Sequence, residues 1–527
     1  MDAISYFRLM VEGKSNLIHA PGYPFLLGFP WRNIIGSYII RHYPFIFLYT
    51  LIIFQHLLNI ITIGVLYQMI KNIYNKGAAL VFVLFYGLDW SVMACTSIVY
   101  PEWFQSSLCV LSFCLIYYAY KAKYFPIKTT LYSISAVIFS WSFLVKYNVL
   151  FMGILFLLAF LFETINIRNR LICFGLSLFS GLSIIFLFII LVHKPSTGTY
   201  SLSYDKSWVL LGKIEYFIPD GKLLPSNGIN TKRLLILNSL LPWDNKGVGP
   251  VGNIDYVSPS IRKPYRDKYL YILTADNNTL DKLLQNVEIP EKYNFATAFS
   301  PVSDYLGMKE SNELGIQVYI ESIKAYPLAF SRHVIEWTIN NLTRIEPYSF
   351  IPINIVDSKM TPLGYGFSDI DLADGKSFIK VIPTKLGFGF VTFSKENYPV
   401  FATYDNPYGY YVWLPGAYLF SFIIRTFTLP PPLISIVIFL GFIYYFIQIL
   451  RGKRDERLII YLSITLLLIG FIVFSNMIKK FRWEKELQLV LPFVYSLFSI
   501  SFITLIQFIK KLLFPHRSFN ARLPHLI

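Results

Sequence analysis

Long apolar runs, each near 20 residues and separated by short basic clusters, leave few folds open to this sequence. A helix that crosses ~30 Å of hydrocarbon at ~1.5 Å rise per residue needs about 20 such residues. Nine segments qualify: 44–70, 78–95, 104–120, 128–145, 147–164, 170–192, 433–450, 457–477 and 487–509. Across 527 residues the chain is 55% hydrophobic and only 15% charged, where soluble domains carry about a quarter charged residues. With a mean hydropathy of +0.51, the expected fold is mainly α: a polytopic membrane helical bundle.

The net charge of +16 would suit a nucleic-acid partner if it were gathered on one surface. Instead the basic residues sit in the connectors, which is the pattern that orients membrane proteins; no nucleic-acid partner is expected. Lys71 and Lys76, Lys121, Lys123 and Lys128, Arg168 and Arg170, Arg451 to Arg457, and Lys510, Lys511 and Arg517 fall on alternate connectors. That side is read as the cytoplasm. The other side holds residues 1–43, the turns around Glu102 and Lys146, the region 193–432 and the segment 478–486. The N-terminus then lies outside, although it lacks the basic and apolar regions of a signal peptide. The expectation is that a first span, ending just before Asp2, is missing from the chain as given. The alternative is that the span 44–70 itself carries residues 1–43 across.

This divides the chain into an N-terminal membrane module with catalytic outer loops (1–192), an extracytoplasmic domain (193–432) and a C-terminal membrane module (433–527). The middle region is long enough for a mixed α/β domain with its own core. It has turn punctuation at Pro219-Asp220-Gly221 and Gly247-Val248-Gly249-Pro250, alternating runs at 378–382 and 389–393, and an amphipathic helical stretch, 316–342, interrupted at Pro327. Residues 411–428 read as an interfacial helix. Cys95, Cys109, Cys114 and Cys173 lie in or beside apolar runs with no C-x-x-C spacing, so they read as small hydrophobes.

Several chemically useful groups share the outer side. His19-Ala20-Pro21-Gly22-Tyr23-Pro24 reads as a rigid bend at the membrane face: its prolines fix φ and its glycine permits a turn. The plainer reading is a loop bend alone. Asp2 opens the same loop, Glu102 sits in Val99-Tyr100-Pro101-Glu102-Trp103, and Lys146-Tyr147-Asn148 follow a later span. Lys479, Lys480, Arg482, Glu484, Lys485 and Glu486 precede the last span, which contains Pro492. Charge at the edge of hydrocarbon is costly, so acids there are candidates for function. The competing readings are a solvated turn carboxylate for Glu102, a frayed terminal residue for Asp2, snorkelling cations for the lysines, and a helix-end polar residue for Asp89.

Three of these places resemble the C-type membrane glycosyltransferase superfamily, in the branch of protein O-mannosyltransferases and the lipid A aminoarabinose transferase. Asp2-Ala3-Ile4-Ser5-Tyr6-Phe7 is similar to the acidic motif of that family's first outer loop, though with one acid where many relatives have two. The proline bend is similar to the one that follows it. Lys480-Phe481-Arg482-Trp483, with Leu491-Pro492-Phe493, is similar to the family's late Arg-aromatic and Pro element.

The resemblance implies transfer of a sugar from a polyprenyl-phosphate carrier to a hydroxyl of a lipid, glycan or protein acceptor. It gives Asp2 the role of proton acceptor and Glu102 that of second acid. Arg482, with Lys480 and Lys479, would hold the donor phosphate, since a fixed guanidinium recognises phosphate well. His19, Tyr23, Lys146 and Tyr147 would line the substrate, although an interfacial aromatic belt is the plainer reading for Tyr23, Tyr147 and Trp103. The resemblance makes no cofactor certain and leaves a divalent metal open, with Asp2 and Glu102 as its ligands if one is used. The expected location is a bacterial plasma membrane, in contact with its lipids and with the active site facing outward. The alternative functions are a transporter or flippase, or a polymerase or ligase, of lipid-linked saccharides.

Overall fold

The computed structural model describes residues 22–28, 44–89, 92, 101–163, 165–200, 202, 206–214, 217–218, 228–239, 259–287, 308–343, 370–371, 377–384, 387–394, 431–452, 456–478 and 483–513. The first membrane helices are α1 (Pro44–Ile73), α2 (Lys76–Gly87), α3 (Pro101–Lys121) and α4 (Phe125–Val145). A tight 3-10 segment, Tyr147–Gly153, leads into α5 (Ile154–Phe162), and α6 (Ile167–Phe188) continues helically to Thr197. Near the other end of the chain come α13 (Pro431–Leu450), α14 (Glu456–Ile478) and α15 (Trp483–Leu513). Among the described residues, seven helices are long and apolar enough to cross a membrane: Ile53–Ile73, Pro101–Lys121, Phe125–Val145, Ile167–Thr197, Leu433–Leu450, Arg457–Ile478 and Leu489–Leu513. They mark the chain as an integral membrane protein.

The other two expected spans, 78–95 and 147–164, are shorter. α2 stops at Gly87, and the second runs from Tyr147 to Leu161 with its first turns wound as 3-10 helix. At ~1.5 Å per residue in α-helix and ~2.0 Å in 3-10 helix they cover about 18 and 26 Å, less than the ~30 Å of a hydrocarbon core.

One hydrophobic core joins the two membrane modules. Leu66, Phe82, Val110 and Tyr132 of the N-terminal half share it with Ile434, Tyr461, Phe471 and Phe498 of the C-terminal half. Small residues allow close helix contact, as membrane helices require where burial supplies little drive. A Cβ on Gly441 of α13 would stand 2.1 Å from the Ser501 Oγ of α15. Phe179, Phe186, Ile436 and Phe439 are exposed on the outer surface of α6 and α13, as lipid-facing side chains must be.

The antiparallel run of the helices gives the bundle two chemically distinct ends. Tyr74, in the α1–α2 turn, donates to the Arg457 carbonyl at the start of α14. Lys121, Lys128 and Arg170 sit at helix termini of this same end. The opposite end carries the start of α3, the finish of α4 and the start of α15.

Between the membrane helices, the described part of 193–432 contains six further helices: α7 (Lys206–Ile214), α8 (Ile229–Ser239), α9 (Pro259–Thr274), α10 (Asn277–Leu284), α11 (Met308–Ala325) and α12 (Pro327–Thr343). The α11–α12 break falls at Pro327, as the sequence pattern predicts. They share a second core of Leu211, Ile214, Leu234, Leu237, Tyr269, Leu280 and Val318. Glu321 of α11 accepts from the backbone N–H groups of Asn230 and Thr231 at 3.1 and 2.9 Å, setting a carboxylate on the positive end of α8. Asp276 caps α10 by accepting from the Thr279 N–H at 3.0 Å. Hydrogen bonds from the Thr279 side chain and backbone hold its carboxyl below the usual range. An antiparallel sheet of β1 (Ile370–Asp371), β2 (Ser377–Thr384) and β3 (Gly387–Ser394) follows, with Ile370 opposite Ile379 and Val381 opposite Phe390. Residues 411–428, the expected interfacial helix, lie outside the described residues.

Candidate functional site

At the end of the bundle away from the basic connectors, α3 begins with Pro101 in a position where its missing N–H costs nothing. Glu102 follows in the first helical turn. It is not the solvated turn carboxylate of the plainer reading: its side chain is only 4% exposed. The chain reversal after α4 brings Lys146, the residue that closes that helix, into an ion pair with Glu102 Oε1. The Lys146 side chain is a quarter exposed, so the pair lies at the edge of the protein interior.

Gln105, one turn after Glu102, ties the same corner together. Its Nε2 donates to the Lys146 carbonyl, to the Ser142 carbonyl at 3.3 Å and to Asn148 Oδ1 at 2.9 Å. The α3–α4 pairing that sets this register continues deeper, where the hydroxyls of Ser112 and Ser135 lie 2.9 Å apart. Tyr147 donates its hydroxyl to the Leu202 carbonyl at 2.8 Å. Residues 22–28 pack on the same corner. A Cβ on Gly22 would lie 2.5 Å from the Leu144 carbonyl carbon, so glycine is needed here for close approach rather than for the turn expected from sequence. Tyr23 is fully buried, donates to Gln55 Oε1 at 2.7 Å and packs its ring 5.8 Å from Phe104.

A second buried acid stands on the neighbouring face. Asp89, just past α2, accepts from the hydroxyl of Tyr495 on α15 and from the Val92 N–H at 3.2 Å. Asp89 is thus the helix-end polar residue of the plainer reading, but because α2 is short that end lies buried inside the bundle. Tyr86 stacks on Trp103 at 6.2 Å. Trp103, 1% exposed, is a buried packing residue rather than part of a surface belt.

Five buried polar atoms at this end have no hydrogen-bond partner: Glu102 Oε2, Trp103 Nε1, Gln105 Oε1, Asn148 Nδ2 and the Tyr86 hydroxyl. Native proteins leave few such groups, and each has a cause. A buried acceptor or donor without a partner costs about 1–3 kcal/mol. Their concentration at one corner marks a place that takes up a polar ligand or water. Glu102 offers one open carboxylate oxygen, able to accept a proton, while Lys146 holds the other.

Of the residues expected from sequence, Tyr23, Glu102, Lys146 and Tyr147 converge at this corner. Asp2, His19, Lys479, Lys480 and Arg482 lie outside the described residues. Gln105 and Tyr495 were not singled out from sequence, and Asn148 and Asp89 were noted without a role in the site. The only available signal for Gln105 was its position one helical turn after Glu102. Among the described residues no group of three His, Cys, Asp or Glu side chains stands where it could hold a metal ion.

No protein-family model, curated protein or solved structure matches this chain.

Proposed function

We propose that the protein is a membrane glycosyltransferase that moves a sugar from a polyprenyl-phosphate donor to a hydroxyl of a lipid, glycan or protein acceptor. The bundle in this reading has nine crossings, with α2 and the 147–161 segment as the two short ones, and the Glu102 corner faces outward. Residues 193–432 form its extracytoplasmic α/β unit. The observation that supports the reading is Glu102: a buried carboxylate with one oxygen open, positioned by a lysine, at the end of the bundle that the positive-inside trend puts outside.

In this chemistry the acceptor oxygen bonds to the anomeric carbon as the bond from that carbon to the phosphate oxygen breaks. The phosphate leaves with the electron pair and needs little protonation. The acceptor's proton passes to a carboxylate. Asp2 takes that proton, and Glu102 orients the acceptor hydroxyl through its open oxygen. Lys146 holds Glu102 in place through the ion pair. Arg482, Lys480 and Lys479 neutralise the donor phosphate, and His19, Tyr23 and Tyr147 shape the surrounding wall.

The test uses the full chain in lipid nanodiscs with a panel of radiolabelled polyprenyl-phosphate sugars and membrane-extract acceptors. The expected result is release of polyprenyl phosphate with transfer of label, abolished by Asp2→Asn and reduced by Glu102→Gln while donor binding persists. Transfer indifferent to both substitutions, or passage of intact lipid-linked sugar across the bilayer without bond cleavage, contradicts the proposal.

A further inference from the structure

α11 and α12 are consecutive, yet they present different surfaces. The exposed positions of α11 are mainly polar: Lys309, Glu313, Gln317 and Lys324. On α12 the exposed positions divide into two stripes. Leu328, Ile335 and Ile339 are 84%, 57% and 55% exposed and recur at helical spacing along one line. Arg332, Glu336 and Asn340 form the adjoining line, with Arg332 and Glu336 paired at 2.7 Å. The remaining face, with Phe330, Val334, Thr338 and Asn341, is buried.

The depth of α12 is fixed by its contacts. Thr338 Oγ1 accepts from the Nδ2 of Asn476 in the last turn of α14 at 3.4 Å. Tyr319, within α11, donates to the Met477 carbonyl. Leu342 packs against the core of the membrane helices. The C-terminal half of α12 therefore stands where a membrane-spanning helix ends. A helix with one face on protein, an apolar stripe next to it and a charged stripe beyond meets three media at once, which is the arrangement of an interfacial helix.

We propose that α12 lies in the outer membrane interface, with Leu328, Ile335 and Ile339 bedded in lipid acyl chains and Arg332, Glu336 and Asn340 turned to the headgroups and water. This placement of α12 is independent of the Glu102 corner and of the proposed transfer reaction. The occupant is lipid rather than a second copy of the chain, because Leu342 of the same helix packs on the core of the membrane-spanning helices and Thr338 meets the end of one of them.

Single cysteines at 335, 339 and 340, each in the full chain, are labelled with bimane and inserted one copy per nanodisc; the wild-type chain, labelled in parallel, is the blank. Ile335→Cys and Ile339→Cys are expected to lose most of their emission to brominated phosphatidylcholine and little to iodide. Asn340→Cys is expected to show the reverse. Strong iodide quenching at 335 and 339 would overturn the proposal in favour of a water-facing stripe. Protection of both from either quencher would overturn it in favour of a protein cover. All three positions are exposed and tolerate the substitution; Leu328→Cys is the further variant should either isoleucine position fail to label.

Discussion

Two buried glutamate–lysine pairs stand at opposite ends of the same helix hairpin, and they are built differently. At the basic end Lys128 of α4 pairs with Glu163 at 2.8 Å and also donates to the Tyr120 carbonyl at 3.1 Å. The second oxygen of Glu163 accepts from the Tyr132 hydroxyl at 2.9 Å. Both partners are nearly inaccessible, at 4% and 1%. At the other end Lys146 takes one oxygen of Glu102, and the second oxygen has no partner. Desolvating two charges is more tolerable when both carboxylate oxygens are hydrogen-bonded. The Glu163 pair meets that condition and serves as a structural clamp. The Glu102 pair does not, and its unfilled capacity is what a working site needs.

The largest expected effect is on activity. Glu102→Gln should slow carrier-dependent transfer by about 10²–10⁴, the usual reach of a group that handles a proton or its hydroxyl; steady-state rates in nanodiscs read it directly. Next is the clamp itself. Lys128→Met strands the Glu163 charge in the core, and breaking a buried pair from one side costs about 3–5 kcal/mol, read as a fall in thermal midpoint and membrane yield. Tyr132→Phe sharpens the comparison by making Glu163 resemble Glu102, with one oxygen unserved. The loss should be about 1–3 kcal/mol by the same melts. Smallest is Tyr23→Phe, which removes the hydrogen bond to Gln55 and should cost about 0.5–1.5 kcal/mol.

The spans were legible because hydrocarbon thickness imposes a length that apolar runs reveal. The two that came out short were not, since hydropathy averages over the Gly87 stop and over the 3-10 turns after Lys146. Glu102 and Lys146 could each be picked out as polar groups on one side. Their pairing could not, because it depends on how α3 and α4 register through contacts such as Ser112 with Ser135. Lys128 illustrates the opposite error. It reads as one more orienting cation in a basic connector, whereas burial against Glu163, at the far end of α5, consumes its charge. Asp89 reads as a helix-end polar residue and does follow the end of α2; its burial against Tyr495 was not legible, because it depends on that helix stopping at Gly87.

The contrast between the two pairs is tested most directly by melting Glu102→Gln and Glu163→Gln side by side, in the same lipid. The account predicts that Glu163→Gln falls well below wild type. Glu102→Gln should stay within about 1 kcal/mol of wild type, since Lys146 can turn to water and an unserved oxygen is replaced by an amide. A Glu102→Gln protein that loses as much stability as Glu163→Gln would make both pairs structural and remove the ground for a site at this end of the bundle.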